Sequence, residues 1–291
     1  MTAASGLVIV DKPSGWTSHD VVARIRRLAG TRRVGHAGTL DPMATGVLVV
    51  GVDKATRLLG HLALTEKDYD ATIRLGAVTD TDDADGQILA SAPAAGLPDD
   101  ALAAAIASLT GEIQQVPPGI SAIKVGGKRA YRLSREGAAP ELAARTVTVS
   151  RLAVAASRPA GDYLDVDVAV TCSSGTYIRA IARDLGAALG VGGHLTALRR
   201  TRAGPYAVAA ARTLDQLAMA LDVLPLADAA AAAFGRRELT AAEASAVAHG
   251  ARLRAIGSGT GPVAGFAPDG SLIALLTEDA DHARSLAVFV P

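Results

Sequence analysis

Strand patterns and helical patterns follow one another along this chain in no regular order, and this limits the folds that it can adopt. The apolar run at Gly6–Val10 and the alternating segment Lys67–Leu75 predict strands, whereas residues 19–29 and 176–189 have helical patterns. A doubly wound sheet would require strands and helices in strict alternation. We therefore expect an α+β fold.

Two helix starts are predicted from capping residues. Ser18 precedes the apolar-periodic segment 19–29, and Asp53 precedes a candidate helix near 54–63. Serine and aspartate are favoured at the N-cap because their side-chain oxygens accept hydrogen bonds from the first free backbone N–H groups. We therefore expect both side chains to cap these helices.

The last part of the chain has a pattern of its own after Arg236. A helix is predicted near 240–248, followed by short strands near 262–266, 271–276 and 285–289. Short strands separated by turn residues are typical of a small β-rich module. We therefore expect a second, smaller domain here.

The single cysteine and the lack of long apolar runs exclude several classes of protein. One cysteine among 291 residues, Cys172, cannot form a disulfide framework or a cysteine-based zinc site, and it suits a reducing compartment. The chain contains no run of about 18 apolar residues, so no membrane span is predicted. Asp11 and Lys12 interrupt the first apolar run, which argues against a signal peptide. We therefore expect a cytoplasmic protein that does not enter a membrane.

Charge is unevenly distributed although the formal net charge is zero. Residues 1–60 contain 8 basic and 4 acidic side chains, residues 61–120 contain 2 and 10, and residues 121–160 contain 8 and 2. Two basic blocks of this kind suit an anion-binding surface, but an ordinary solvated surface explains them equally well. Charge alone leaves both interpretations open.

The segment Gly35–Thr45 is the most informative part of the chain. It has the sequence GHAGTLDPMAT, of which Gly35–Pro42 is predicted to be a loop, and glycines around Asp41 permit tight turns. Pro42 favours an extended backbone at Asp41. An aspartate before proline is most often a turn residue, so this segment alone does not separate that role from a catalytic one. It is not a phosphate-binding P-loop, because G-x-x-x-x-G-K-[ST] occurs nowhere in the chain.

Further motifs accompany this segment in a fixed order. They lie at residues 10–15 (VDKPSG), 67–69 (KDY), 79–86 (TDTDDADG), 121–124 (SAIK), 175–179 (GTYIR) and 198–200 (LRR). With GHAGTLDPMATGVL, they make the chain resemble the bacterial B-type tRNA pseudouridine synthases over roughly residues 6–212, and more loosely after residue 235. The resemblance implies a central, mostly antiparallel mixed sheet with flanking helices. It also implies a catalytic domain at 1–234 and a small C-terminal domain of the PUA type at 235–291.

The resemblance implies an isomerisation that needs no cofactor and no metal. Uracil is detached from C1′ of its ribose and rejoined through C5. The expected substrate is uridine 55 in the T-loop of tRNA, recognised mainly through the shape of the T arm and its unstacked bases. Asp41 matches the catalytic aspartate of the family. Three routes stay open: attack of the carboxylate at C6 of the base, attack at C1′, and a glycal-type route.

Five further residues match substrate-binding positions of the family. Tyr69 matches the tyrosine that stacks on the target base, and its phenol is a candidate for proton transfer. Arg179 matches the arginine that pairs with the catalytic carboxylate and keeps it ionised. Tyr177 and Leu198 match residues that line the base pocket. His36 matches the histidine that fills the space left by the flipped base.

Phosphate contacts are expected from an insertion and from one lysine. Residues 124–145 resemble the RNA-gripping insertion of the family, whose basic side chains face phosphates. The basic residues concerned are Lys124, Lys128, Arg129, Arg132 and Arg135. Lys12 is expected either to support the catalytic loop or to contact phosphate.

The acidic segment 80–85 invites a calcium-binding interpretation, which fails. In an EF-hand register, Thr81 occupies the first ligand position and Ala92 the twelfth, where calcium requires carboxylates. We therefore expect a structural loop at the edge of the pocket.

Three other functions compete with this hypothesis. A non-catalytic RNA-binding protein would use Asp41 only to end a turn, but Asp41, Tyr69 and Arg179 then occur together without reason. A synthase of guide-RNA particles needs partner proteins and often has basic tails, whereas this chain ends without a basic cluster. A nucleotide enzyme would need a phosphate-binding motif. We therefore expect a monomer that acts on tRNA without an obligate protein partner.

Overall fold

The structure is a computed structural model that describes residues 4–119, 124–125, 128–129, 142–259 and 261–290. The helices in this part of the chain are α1 (Ser18–Ala29), α2 (Leu59–Leu62), α3 (Asp99–Ser108), α4 (Ile178–Ala188), α5 (Leu214–Met219), α6 (Leu226–Ala233) and α7 (Ala241–Ala248). None of the helices described is long and apolar enough to cross a membrane.

The strands are short, except that three of them, between residues 145 and 203, have ten or more residues each. They are β1 (Gly6–Lys12), β2 (Val34–Ala37), β3 (Thr45–Val52), β4 (Lys67–Leu75), β5 (Ala77–Thr79), β6 (Ile88–Ser91), β7 (Gly111–Gln115), β8 (Lys124–Val125), β9 (Lys128–Arg129), β10 (Arg145–Ala160), β11 (Tyr163–Cys172), β12 (Gly193–Ala203), β13 (Tyr206–Ala207), β14 (Leu224–Pro225), β15 (Gly235–Glu238), β16 (Leu253–Arg254), β17 (Val263–Phe266), β18 (Leu272–Glu278) and β19 (His282–Val288).

The chain divides into two compact units. Unit 1 contains the described residues within Met1–Pro42, Gly46–Thr65 and Ala203–Pro291, and unit 2 contains those within Met43–Thr45 and Glu66–Arg202. The first segment of unit 1 contains the expected catalytic aspartate, Asp41, and unit 2 contains most of the expected substrate-binding residues.

In unit 1, β1 pairs antiparallel with β3, from Gly6 opposite Val52 to Lys12 opposite Gly46. Both strands are buried along nearly their whole length, as expected of continuous apolar runs. Strand β14 pairs with β1, and β2 pairs with β3. The prediction of a loop starting at Gly35 is therefore wrong for its first three residues, which belong to β2.

The two predicted helix caps are wrong. Helix α1 is capped by Thr17, whose hydroxyl accepts from the Asp20 N–H at 3.1 Å while the Asp20 carboxylate accepts from the Thr17 N–H at 3.0 Å. This reciprocal arrangement satisfies two free donors, so it fixes the helix start one residue before Ser18. Asp53 begins a 3₁₀ helix instead of capping one, and no side-chain cap bond precedes that helix.

Unit 2 contains a sheet with the strand order β12-β4-β11-β10-β7. The pairs β4–β11, β11–β10 and β10–β7 are antiparallel. Strand β4 buries alternate residues from Lys67 to Leu75, which confirms the predicted strand with its bounds. Helix α4 approaches β12 closely, because a Cβ on Gly186 would lie 2.1 Å from the backbone nitrogen of Gly193.

The C-terminal module has the strand order β15-β17-β18-β19-β16, with β15 parallel to β17 and the other pairs antiparallel. Helix α7 packs on this sheet through a core that includes Leu239, Val247, Leu253 and Leu276. The predicted α+β class, with mostly antiparallel pairing and a β-rich C-terminal part, is confirmed. The domain boundary between residues 234 and 235 stays a prediction.

Candidate active site

Asp41 lies in unit 1, half-buried, in the loop that joins β2 to β3. The residue before it, Leu40, donates its N–H to the Ser18 hydroxyl at 2.9 Å, and its carbonyl accepts from that hydroxyl at 3.0 Å. The carbonyl of the residue after it, Pro42, accepts from the Gly15 N–H at 2.8 Å. Both neighbours of Asp41 are therefore fixed through their main chains, which holds the carboxylate in a defined position.

Lys12 is fully buried at the end of β1. Its ammonium donates to three carbonyl oxygens: Trp16 at 2.6 Å, Pro13 at 3.0 Å and Pro42 at 3.2 Å. A buried ammonium is tolerated only when its donors are satisfied in this way. These bonds favour the first of the two roles expected of Lys12, which is to support the catalytic loop.

His36 lies on β2, half-buried, opposite Val50 of β3. Its ring meets the ring of His19 edge to face, with centroids 5.7 Å apart and planes at 80°. The residue is therefore held by a strand pairing on one side of the catalytic loop. Its role toward a flipped base stays a prediction.

Tyr69 lies in unit 2 on β4, where it is buried and faces the same way as Lys67. It sits opposite Val170 of β11. A second buried cation, Arg200 on β12, lies close to Lys67. Burial, together with Arg200, lowers the pKa of the Lys67 ammonium to about 8. The buried face of β4 therefore carries positive charge beside the expected stacking tyrosine.

Arg179 is in the first turn of α4, with its side chain only 5% exposed. Its guanidinium donates to the Thr81 carbonyl at 2.7 Å and lies 3.6 Å from the carboxylate of Asp83, which is equally buried. Asp83 accepts in turn from the Thr81 hydroxyl at 2.5 Å and from the Asp85 N–H at 3.1 Å. The acidic loop therefore holds the arginine that the resemblance places beside the catalytic carboxylate.

Asp83, which contacts Arg179, was not identified from the sequence. The density of acidic residues in 79–86 was a signal, but it pointed to calcium or to a structural loop. The sequence does not show that this one carboxylate turns inward to an arginine almost 100 residues later. Its neighbour Asp82 also faces a cation, Arg183, at 3.4 Å, although burial raises the pKa of the Asp82 carboxyl.

Tyr177 precedes the first residue of α4 and is held by a buried amide. Its N–H donates to Oε1 of Gln115 at 2.8 Å, and its carbonyl accepts from Nε2 of the same side chain at 3.1 Å. Gln115 is only 1% exposed. The side-chain amide therefore takes the place of a neighbouring strand and fixes the start of the helix that contains Arg179. Gln115, like Asp83, was not identified from the sequence.

Leu198 is buried on β12, and its carbonyl lies 3.5 Å from the hydroxyl of Thr45. Arg199 donates to the same hydroxyl at 3.3 Å. Because Met43–Thr45 belong to unit 2, the end of the Gly35–Thr45 motif meets the strand that contains one of the expected pocket residues.

Of the expected RNA-gripping insertion, residues 124–145, the structure describes the backbone of two short strands and the last residues, 142–145. Lys124 pairs with Arg129, and Val125 with Lys128, in an antiparallel ladder. Arg132 and Arg135 lie outside the described residues. The contact of these five basic side chains with phosphate stays a prediction. Within the part of the chain that the structure describes, no group of three or more His, Cys, Asp or Glu side chains is arranged to hold a metal ion.

Comparisons with known protein families match almost the whole chain. Residues 26–178 match the model described as TruB family pseudouridylate synthase, N-terminal domain. Residues 179–229 match a tRNA pseudouridylate synthase B C-terminal domain, and residues 234–290 match the model described as tRNA pseudouridine synthase II, C-terminal. The chain belongs to the TruB family of pseudouridine synthases. The family expected from the motifs is thereby confirmed, as is an enzyme of the isomerase class.

Individual relatives agree with the family models. The chain is 62% identical to a tRNA pseudouridine synthase B of Thermobifida fusca, over 98% of this chain and 99% of that protein. It is 60% identical to one of Streptomyces coelicolor, over 99% and 98%. Among solved structures, a chain of a Cbf5-Nop10-Gar1 complex matches with a TM-score of 0.74 and 29% identity, over 98% of this chain and 85% of that one.

Proposed function

We propose that this TruB-family enzyme isomerises uridine 55 in the T-loop of tRNA to pseudouridine. It acts in the cytoplasm as a monomer, without a cofactor and without an obligate protein partner. The observation that carries the proposal is the fixing of the loop around Asp41 by Ser18, Gly15 and Lys12. Relatives named tRNA pseudouridine synthase B are about twice as similar in sequence as the chain from the multi-protein complex.

In the proposed reaction, the bond between N1 of uracil and C1′ of the ribose breaks. The base turns, C5 forms a new bond to C1′, and the proton on C5 leaves while N1 gains one, so the product is an isomer of the substrate. The Asp41 carboxylate serves as the nucleophile or stabilises the detached sugar. Preorganisation of its loop lowers the barrier, because little rearrangement is then needed when the substrate binds.

The remaining site residues prepare the base and the carboxylate. Tyr69 stacks on the extruded uracil, and His36 occupies the space that the base leaves in the T-loop. Tyr177 and Leu198 line the pocket. Arg179 keeps the catalytic carboxylate ionised, and its own orientation is set by the contacts of its guanidinium with Thr81 and Asp83.

The test uses purified protein and unmodified tRNA, with pseudouridine mapped by a base-specific chemical method. We expect product at position 55 with the wild-type protein and none with Asp41→Asn, whereas tRNA affinity stays within about an order of magnitude because phosphates supply most of it. Asp99→Asn, at an exposed aspartate, is the matched control and keeps full turnover. Normal turnover by Asp41→Asn contradicts the proposal. Loss of folding in that variant would make Asp41 a turn residue.

The proposed phosphate contacts of the insertion have a separate test. Replacement of Lys128, Arg129 and Arg132 by alanine should weaken tRNA binding and flatten its salt dependence. Each lost phosphate contact lowers the slope of log affinity against log salt concentration by about 0.7–0.9. An unchanged slope would move the RNA-binding surface to the basic residues between Arg24 and Arg33.

A further inference from the structure

We infer that Trp16 is a stacking contact for an unstacked nucleobase of the substrate RNA. This inference rests on the proposed function and adds a binding residue outside the motif positions discussed above. It depends on three observations: the exposure of the indole, the attachment of its main chain to the catalytic loop, and the composition of the surface around it.

Trp16 is the only tryptophan in a chain that is poor in aromatic residues, with five tyrosines and three phenylalanines besides. It is also the one aromatic residue among the exposed large hydrophobic side chains in the described part of the chain, with 37% of its surface accessible. Large aromatic side chains are favoured at contact surfaces, because they supply much contact area at a small loss of side-chain entropy. An exposed tryptophan therefore indicates a binding contact more strongly than the exposed aliphatic residues do.

The main chain of Trp16 is attached to the loop of Asp41 through one buried ammonium. Nζ of Lys12 donates to the Trp16 carbonyl at 2.6 Å and to the Pro42 carbonyl at 3.2 Å. Gly15, with a φ of +80°, turns the chain just before Trp16 and donates its own N–H to Pro42. The indole is therefore displayed from a braced loop, which reduces the entropy lost when a ligand stacks on it.

The surroundings of Trp16 favour a nucleobase over an apolar protein partner. Residues 13–17 are all exposed, and the residues next to Trp16 in the sequence are proline, serine, glycine and threonine, so this segment adds no second large apolar side chain to the indole. A protein interface usually requires a much larger apolar area. A single planar ring is sufficient to bind a nucleobase by stacking, because every base has an aromatic face and stacking requires no base-specific hydrogen bonds. The excess of basic residues in 1–60 complements the phosphates of such a ligand.

Because Trp16 is the only tryptophan, its fluorescence reports on the contact directly. The RNA probe is an unmodified T-arm stem-loop, titrated into Asp41→Asn protein so that no turnover occurs. We expect the emission to be quenched as the RNA binds, and acrylamide to quench the bound state less than the free state. Trp16→Ala should weaken the affinity at least about fivefold, and Trp16→Phe should retain most of it, since stacking contributes about 1–3 kcal/mol per base.

Met219→Ala, at a side chain that is 82% exposed on α5, is the matched control and should leave affinity and turnover unchanged. If the Asp41→Asn protein binds the RNA and the wild-type protein modifies it, while the emission and the acrylamide accessibility stay constant, Trp16 does not contact the RNA and this inference alone is overturned. An equal affinity of Trp16→Ala and wild type has the same meaning. If the wild-type protein neither binds nor modifies the RNA, the proposed function fails first.

Discussion

Arg179 of unit 2 and Arg237 of the C-terminal module are both buried beside buried carboxylates, but their partners are distributed differently. Arg237, on β15, lies 3.0 Å from Glu278 of β18 and 3.4 Å from Glu243 of α7, and it donates to the Arg254 carbonyl of β16 at 3.1 Å. The partners described above for Arg179 both come from one loop, residues 79–86.

This difference suggests different roles for two similar pairs. Arg237 has partners on three elements and therefore connects them, so its loss should lower the free energy of unfolding. The Arg179 guanidinium is oriented by its contacts with Thr81 and Asp83, and Arg179 is expected to act on the catalytic carboxylate. Loss of Asp83 should therefore lower the reaction rate. A buried ion pair is in itself weak evidence for stability, and only the removal of one partner shows what it does.

The largest effect is expected from Arg237→Met. It leaves the Glu278 carboxylate buried without its main cation and should lower the free energy of unfolding by about 3–5 kcal/mol. Urea unfolding measures this loss. Arg236→Met is the control, because Arg236 is half-exposed over the Phe266 ring and should lose less than about 1 kcal/mol. Equal losses in the two variants would remove the distinction, and turnover per folded molecule should be normal in both.

A smaller effect, on chemistry, is expected from Asp83→Asn. The variant replaces the buried carboxylate that lies 3.6 Å from the Arg179 guanidinium by a neutral amide. The guanidinium should then be less well oriented, and we expect a single-turnover reaction about tenfold slower, equivalent to about 1.4 kcal/mol in the barrier. Affinity for tRNA should change little, because the Asp83 side chain is buried. Asp85→Asn, at an exposed side chain of the same loop, is the control. A normal rate in Asp83→Asn, or a loss of stability as large as that of Arg237→Met, would contradict the assignment.

The two arginines also show how far sequence reasoning reached. Arg179 was identified because it lies in a motif, GTYIR, that resembles a family position, whereas Arg237 lies in no motif. Local patterns were sufficient for strands such as Lys67–Leu75 because alternation is a property of neighbouring residues. The partners Asp83 and Gln115 were missed because their importance comes from contacts with residues more than 60 positions away. The cap at Ser18 failed because the hydroxyl bonds to Leu40 instead.

A third buried cation, Lys67, has the most limited predicted effect, which appears only in the pH dependence of stability. Burial and Arg200 lower its pKa from 10.5 to about 8 in the folded protein. Below pH 8 both folded and unfolded chains hold the proton, and the folded state carries the cost of a buried charge. Between pH 8 and 10.5 the unfolded chain holds more protons, so this group makes the protein more stable as the pH rises.

From pH 7 to pH 9, Lys67 should therefore add about 1.4 kcal/mol to the free energy of unfolding, close to the value of one pKa unit. Lys67→Met, which keeps the length of the side chain, should lack this increase and be the more stable protein at pH 7. Urea unfolding of both proteins at the two pH values measures the difference. Burial raises the pKa of the nearby Cys172 thiol to about 11, so its titration belongs to both proteins and cancels. An identical pH dependence in the two proteins would mean that Lys67 keeps its charge in the folded protein and is stabilised there by partners, as Arg237 is. Lys67 would then belong with Arg237 among the cations that stabilise the fold.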